Sequence, residues 1–267
     1  MEAATVDKIR VTTRGGLEID VEQRGSGPDL VWFHGLVGLA PTEPALDLLA
    51  RTFTVHAPIW PGFGSIENEE RIEDMLDFAL LGWDIVDALA LDTPIVVGHS
   101  FGAMIAAEMA CLANRDLDEL VLIAPYGLWR DDLPLPDPFA QLPFELTELF
   151  FADPEANATK LVDSGVDLGS DEGLAEFMVR NSRRLGTAGK IMFPIPNRRL
   201  SKRLYRLEVP TSIIMAGSDH LVVEGYGAAW AQAVPHAEVV TIEGAGHLIN
   251  LEAPEVLATA ITDLLHR

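Results

Sequence analysis

A serine flanked by two glycines is the part of this sequence with the clearest potential for chemistry. In VVGHSFGAM, residues 96–104, Ser100 stands between Gly98 and Gly102, after a β-branched run and before a stretch rich in helix formers. A residue at a sharp strand-to-helix turn has a strained backbone and crowds its neighbours two positions away, and glycine relieves that crowding. The pattern predicts a nucleophile elbow that lifts the Ser100 hydroxyl above a sheet edge. The alternative is a glycine-rich turn whose serine only caps the helix.

Two later segments offer the partners that a nucleophilic serine requires. A serine hydroxyl is a weak nucleophile near neutral pH, so it needs a base, and the base needs an orienting group. GSDHLVV (217–223) presents Asp219 after one predicted strand, and GAGHLINLEAP (244–254) presents His247 after the next. We predict that Ser100 attacks a carbonyl carbon, His247 takes its proton and Asp219 holds the imidazole. Asp219 is alternatively a turn aspartate bonded to its own loop. Six other histidines compete for the role of base: His34, His56, His99, His220, His236 and His266.

The oxyanion that forms in acyl transfer needs hydrogen-bond donors in place. We predict that the main-chain N–H groups of Phe101, the residue after the nucleophile, and of Leu36, in FHGLVG (33–38), supply them. Gly35 lets the backbone of that loop approach the substrate, and His34 is predicted to brace the loop. An ordinary turn is the alternative interpretation. The candidate substrate-binding residues are Gly35, Trp129, Met192 and Leu248.

The elements that must position these residues follow an alternating pattern. Short β-rich runs alternate with helical ones, which is typical of an α/β fold with a mostly parallel central sheet and helices on both faces. The predicted strands are residues 8–14 and 17–23, as an opening hairpin, and then 30–33, 53–57, 95–99, 119–124, 212–217 and 238–243. The alternation stops between about residues 125 and 209, where prolines cluster and helical patches follow at 171–185 and 198–207. We predict a core domain of residues 1–124 and 208–267 with an inserted helical cap, residues 125–207.

The clearest amphipathic helix is predicted over residues 71–90. Ile72, Leu76, Ala79, Trp83 and Val86 recur at steps of three and four, so they are predicted to share one helical face that packs on the core.

Composition excludes several classes of partner. The chain of 267 residues carries 41 acidic against 19 basic residues, a formal charge of −22. Binding to nucleic acid or to an anionic membrane requires a positive surface, so we expect a small-molecule substrate, no nucleic acid and no membrane partner. The one cysteine, Cys111, has no disulfide partner, no metal-ligand spacing appears, and we expect no cofactor. The first residues resemble no secretory signal, which favours the cytoplasm. Both a monomer and a homodimer stay open.

The motifs together resemble those of the α/β-hydrolase superfamily, from about residue 8 to the C-terminus. HGLVG resembles its oxyanion loop, PGFG (61–64) the loop before its first long helix, GHSFG its elbow, GSD its acid turn and GHLINLEAP its histidine segment. The resemblance implies the α/β-hydrolase fold and a Ser-His-Asp triad in that chain order. The same frame hosts esterases, lipases, thioesterases and C–C hydrolases, so it leaves the substrate open. Haloalkane dehalogenases and epoxide hydrolases of this fold use an aspartate at the elbow, so Ser100 argues against both activities.

Within that superfamily, the predicted cap and residues 196–211 look like the group of bacterial esterases and meta-cleavage-product hydrolases. Those C–C hydrolases commonly have an aromatic residue after the catalytic histidine, where this chain has Leu248, and a cap arginine that holds the substrate carboxylate. Residues 180–206 contain nine bases and no acid, which supplies candidates for that arginine or forms a solvated face that balances an acidic molecule.

Three hypotheses follow. The first is a serine hydrolase of carboxylic esters of small to medium, mostly apolar molecules. The second is C–C bond hydrolysis, and the third is a ligand receptor on the same fold.

Overall fold

The computed structural model describes residues 5–64, 69–142, 145–161, 169–192 and 199–265. Within these ranges, eight strands form one sheet: β1 (Asp7–Thr12), β2 (Glu18–Gly25), β3 (Asp29–Phe33), β4 (Thr54–Pro58), β5 (Ile95–His99), β6 (Leu120–Ile123), β7 (Thr211–Ala216) and β8 (Glu238–Ile242). Their spatial order is β1-β2-β4-β3-β5-β6-β7-β8. The predicted α/β-hydrolase fold is confirmed.

The direction of the strands matches the sequence pattern. β1 and β2 form the opening antiparallel hairpin, and β2 also pairs antiparallel with β4. All further pairs, from β4–β3 to β7–β8, are parallel. Every residue of β5, β6 and β7 is buried, because helices cover both faces of the central sheet and apolar runs are therefore favoured there.

Helices pack on both faces of the sheet, and others lie in the insertion between β6 and β7. They are α1 (Pro44–Leu49), α2 (Met75–Ala88), α3 (Phe101–Leu112), α4 (Leu146–Phe150), α5 (Pro154–Asn157), α6 (Asp171–Met192), α7 (Tyr226–Ala233), α8 (Ile249–Glu252) and α9 (Pro254–Leu265). Phe78, Ile105 and Trp230, from α2, α3 and α7, belong to the apolar core on one face. Leu46 and Ile261, from α1 and α9, belong to the core on the other face.

The predicted core face of α2 is wrong in one position. The helix begins at Met75, after a capping box in which Asp74 and Asp77 exchange side-chain and backbone hydrogen bonds. Leu76 is 52% exposed, whereas Phe78 is fully buried. The helix carries leucines on both sides, so the sequence alone does not decide which of them packs on the core. The contact with α3 buries Ala79 and leaves Leu76 exposed.

The insertion between β6 and β7 carries α4, α5 and α6. α6 is longer than the predicted patch of residues 171–185, and the patch predicted at 198–207 contains two 3₁₀ turns, Leu200–Lys202 and Leu204–Arg206. None of the described helices is both long and apolar enough to cross a membrane.

Three residues in the C-terminal half of α6 attach it to the α/β core. The Thr187 side chain fills the space where a Cβ would stand on Gly62. The Lys190 ammonium donates to the carbonyl oxygen of Ile72 at 2.7 Å, and Arg183 pairs with Glu69 at 2.9 Å.

Candidate active site

Ser100 occupies the predicted elbow between β5 and α3. Its φ of +54° and ψ of −114° lie in a region that non-glycine residues rarely adopt, so the backbone is strained. A Cβ on Gly98 would stand 2.6 Å from the Cα of Ala103, and one on Gly102 would stand 2.5 Å from the carbonyl oxygen of His34. Both glycines are therefore required by close backbone contacts, as the sequence pattern predicts.

His247 and Asp219 join Ser100 in one chain of hydrogen bonds. His247 Nε2 lies 2.6 Å from Ser100 Oγ, and His247 Nδ1 lies 2.8 Å from Asp219 Oδ2. A carboxylate only accepts, so Nδ1 carries the proton and the free Nε2 accepts the Ser100 hydroxyl. This is the arrangement that a general base requires. All three side chains are buried, which strengthens the electrostatic interactions among them.

The turn after β7 aims the Asp219 carboxylate. Its Oδ1 accepts the N–H groups of Leu221 and Val222, each at 2.7 Å, which leaves Oδ2 for His247. Asp219 thus makes the turn bonds of the alternative interpretation and also holds the histidine.

The predicted oxyanion loop lies against the nucleophile. A Cβ on Gly35 would stand 3.2 Å from Ser100 Cβ. His34 Nδ1–H donates to the Gly35 carbonyl at 2.9 Å, and its Nε2 accepts the N–H of Trp60 at 3.2 Å. The Gly35 carbonyl and the Leu36 N–H belong to one peptide group, so His34 orients both. Burial lowers the pKa of His34 to about 4, so the imidazole stays neutral at pH 7.

The two predicted oxyanion donors are the N–H groups of Leu36 and Phe101. Within the described parts of the chain, neither N–H has an acceptor. Phe101 begins α3, where the first N–H groups lack helical partners and attract negative charge. Both groups are free to bind a substrate oxygen.

The candidate wall residues differ in their surroundings. Met192, at the end of α6, and Leu248, directly after His247, are almost fully buried in the same apolar core as Leu36 and Phe101. Trp129 is half-buried against this core, and its indole N–H donates to Asp131 at 3.2 Å. Their contact with substrate stays a prediction.

The competing histidines make other contacts. His56 bonds to Asp29 at 2.8 Å, while His220 and His236 bond to the main-chain oxygens of Glu148 and Val209. His266 lies outside the described residues.

No group of His, Cys, Asp and Glu side chains in the described ranges is arranged to hold a metal ion.

The loop that carries His247 is held by groups that the sequence analysis missed. Ser218 N–H donates to the Ala245 carbonyl at 2.9 Å, and Leu248 N–H donates to the Phe150 carbonyl at 2.9 Å. Glu252 accepts the N–H of Gly246 at 2.6 Å. The same carboxylate accepts three donors of the insertion, namely the N–H groups of Ala152 and Asp153 and the side-chain amide of Asn157.

Arg184, on α6, belongs to the basic run that the sequence analysis identified, but nothing in the sequence singles it out from that run. It has no hydrogen bond or ion pair with a described residue, and its Nε is buried without a partner. A Cβ on Gly38, in the turn that follows Gly35, would stand 3.6 Å from this Nε. Burial, with the nearby charge of Arg180, lowers the pKa of Arg184 to about 10. Residues 193–198 of the basic run, including Arg198, lie outside the described residues.

Comparison with known proteins gives the family. Residues 26–260 match the Alpha/beta hydrolase family, and the chain belongs to that family. It is 29% identical over 209 residues to the 2-hydroxy-6-oxo-2,4-heptadienoate hydrolase of Pseudomonas putida, covering 71% of this chain and 69% of that protein. Uncharacterised relatives from Mycobacterium match 40% of this chain, and the match spans 32% of their own length.

Solved structures agree on the fold. The 2-hydroxy-6-oxo-6-phenylhexa-2,4-dienoate hydrolase of Rhodococcus superposes with a TM-score of 0.76 at 19% identity, covering 98% of this chain and 100% of that one. Naproxen esterase of Bacillus subtilis superposes with a TM-score of 0.69 at 15% identity, covering 98% and 92%. At such low identities the likeness concerns the fold alone.

Proposed function

We propose that this protein is a serine hydrolase that cleaves carboxylic esters of small to medium-sized, mostly apolar molecules. The observation that carries the proposal is the chain of hydrogen bonds from Ser100 through His247 to Asp219, with distances of 2.6 and 2.8 Å. The predicted wall residues Met192 and Leu248 are apolar and belong to the same core as Leu36 and Phe101, which is consistent with the apolar substrate that we propose.

The geometry supports a two-step mechanism. Ser100 Oγ attacks the ester carbonyl while its proton passes to His247 Nε2, and Asp219 stabilises the imidazolium. The N–H groups of Leu36 and Phe101 bind the oxyanion. His247 then protonates the leaving alcohol, and water hydrolyses the acyl-enzyme by the same route. Every proton moves between the substrate, water and these side chains, so the mechanism needs no cofactor.

The test is hydrolysis of p-nitrophenyl esters of increasing acyl length by the wild type and by Ser100→Ala. Turnover that disappears in Ser100→Ala but persists in a control, Ser201→Ala on an exposed 3₁₀ turn, supports the proposal, and the best chain length gives the size of the pocket. If the folded wild type hydrolyses none of these esters, the ester-hydrolase proposal is wrong. A receptor would hydrolyse its ligand very slowly and change shape on binding, so the same assay separates the third hypothesis.

Arg184 favours a second candidate, C–C bond hydrolysis of a diketone acid. Removing a cation from water is costly unless it is paired, and this half-buried guanidinium, close to the loop of Gly38, has a buried Nε without a described partner. A substrate carboxylate would supply one, since guanidinium and carboxylate form paired hydrogen bonds.

The second candidate is tested on a dienoic diketone acid. Arg184→Met is expected to raise KM sharply, whereas the control Arg180→Met, which removes an arginine already paired with Glu176 on the same helix, is expected to leave it unchanged. An unchanged KM in Arg184→Met would exclude Arg184 as the carboxylate site.

We further propose that residues 125–207 form a cap over the site, because the C-terminal half of α6 contacts the loops around Gly38 and Gly62. The cytoplasmic location stays a prediction, and both a monomer and a homodimer remain open.

A further inference from the structure

The imidazole of His99 lies between the two loops that carry the proposed catalytic groups. The residue ends β5, directly before Ser100, and is 2% exposed. Its Nε2 lies 2.8 Å from the main-chain oxygen of His247, and the two rings are 5.2 Å apart. A Cβ on Gly35 would stand 2.7 Å from His99 Nδ1, so the other side of the ring rests against the oxyanion loop.

We propose that His99 is a positioning residue: its Nε2–H holds the main-chain carbonyl of His247 and thereby seats the catalytic imidazole between Ser100 and Asp219. This proposal rests on the proposed hydrolase function and assigns His99 no contact with the substrate.

The hydrogen bond fixes the tautomer of His99. A carbonyl oxygen only accepts, so Nε2 carries the proton and the neutral ring has none on Nδ1. Burial, together with the nearby charge of His247, lowers the pKa of His99 to about 3. The ring therefore stays neutral when His247 holds the serine proton. In this proposal His247 exchanges protons, whereas His99 stays neutral and only donates a hydrogen bond to the main chain of His247.

The peptide group after His247 is held from both sides. His99 donates to the carbonyl oxygen of this peptide group, which belongs to His247. The N–H of the same group, which belongs to Leu248, donates to the Phe150 carbonyl at 2.9 Å. The Cα of His247 is bonded to this peptide group, so a rotation of the group displaces the imidazole. Since His247 Nε2 must stay within hydrogen-bond reach of Ser100 Oγ, a displacement of about 1 Å is expected to cost about 100-fold in rate.

Two substitutions separate the hydrogen bond from the volume of the ring. His99→Leu removes the donor, whereas His99→Gln keeps an N–H that reaches in the same direction. On p-nitrophenyl esters we expect His99→Leu to lower kcat by about 100-fold with little change in KM, and His99→Gln to recover about 10-fold of that loss. The control is His236→Leu, which removes a similar bond to the Val209 carbonyl away from the triad. It should leave both constants unchanged.

A spectroscopic measurement reports the seating of His247 without turnover. The proton on His247 Nδ1, which is bonded to Asp219, gives a far-downfield NMR resonance that is expected to be sharp in the wild type and His99→Gln and broadened in His99→Leu. The proposal is overturned if His99→Leu keeps wild-type kcat and a sharp resonance. It is also overturned if both substitutions lose the same activity. If the wild type hydrolyses no ester, the proposed function fails, and the resonance still decides whether His99 seats His247.

Discussion

Glu43 and Asn250 join the loop between β3 and α1 to the short helix α8 that follows His247. Glu43 Oε2 accepts the Asn250 side-chain amide at 3.0 Å, and Glu43 Oε1 accepts the Ala40 N–H at 2.6 Å. Ala40 lies in the same loop as Gly35, between β3 and α1, and Asn250 lies three residues beyond His247 in α8. One buried carboxyl thus connects the oxyanion loop to the segment that directly follows the His247 loop.

The buried carboxyl makes stability depend on pH. Burial raises the pKa of Glu43 from 4.5 to about 7, against smaller lowering effects of its hydrogen bonds and of Arg24. The folded state therefore binds this proton more tightly than the unfolded state, so the contribution is fully present below pH 4.5 and is lost as the pH rises through 7. A shift of this size corresponds to about 3 kcal/mol.

We expect Glu43→Gln to remove that dependence. From pH 4.5 to pH 7.5 the wild type should lose about 3 kcal/mol of unfolding free energy relative to the variant. Urea unfolding of both proteins at the two pH values measures this loss. Glu255→Gln, at an exposed position on α9, is the control. A difference that stays constant with pH would contradict the expectation.

Asp219→Asn tests the orienting role of the carboxylate. An amide N–H facing His247 Nδ1 reverses the tautomer, so Nε2 becomes protonated and no longer accepts from Ser100. We expect kcat to fall by about 10⁴-fold while the fold is kept, as checked by ester kinetics and circular dichroism. The exposed Asp118→Asn should match the wild type. A fall of less than tenfold would mean that Asp219 only stabilises its own turn.

A methyl group at Gly102 should be far more harmful than one at Gly186. At Gly102 the Cβ would meet the main chain of Phe33 and His34, whereas at Gly186, on α6, nothing lies within 4 Å. We expect Gly102→Ala to destabilise by about 1 to 3 kcal/mol and to abolish turnover. Gly186→Ala should stabilise by about 0.5 to 1 kcal/mol. Thermal unfolding of both variants checks the pair, and equal effects would refute the steric argument.

Glu252→Gln is expected to loosen the histidine loop. All four groups that the carboxylate accepts are N–H donors, so a glutamine amide would place its own donors against some of them. We expect a loss of about 1 to 3 kcal/mol in unfolding free energy and a lower kcat. Urea unfolding and ester kinetics measure the two effects, again with Glu255→Gln as control. Unchanged kcat at reduced stability would confine Glu252 to a structural role.

The elbow and the partners of Ser100 could be predicted because each depends on local sequence. The glycines around Ser100 report a strained turn, and Asp219 and His247 each follow a strand whose apolar run is easy to identify. The sheet was predictable for the same reason, since burial on both faces gives continuous apolar strands.

His99, Glu252 and Arg184 could not be selected in this way. The roles proposed for them depend on contacts between segments far apart in sequence, such as the 2.8 Å bond from His99 to the His247 carbonyl. Leu76 shows the same limit, because only the position of the neighbouring helix decides which leucines of α2 are buried. A basic run indicates many candidate arginines, and only the packing of α6 shows that Arg184 has a buried Nε without a described partner.

The insertion helps to hold the segment that carries His247, through hydrogen bonds of Phe150, Ala152 and Asp153. All three proposed catalytic side chains come from the flanking segments, yet the loop of His247 is anchored on main-chain groups of the inserted one. The proposed site therefore depends on the inserted segment for the position of the His247 loop. A shortened chain that joined residue 124 directly to residue 208 would retain Ser100, Asp219 and His247 but would lose part of the scaffold that holds His247, the proposed base.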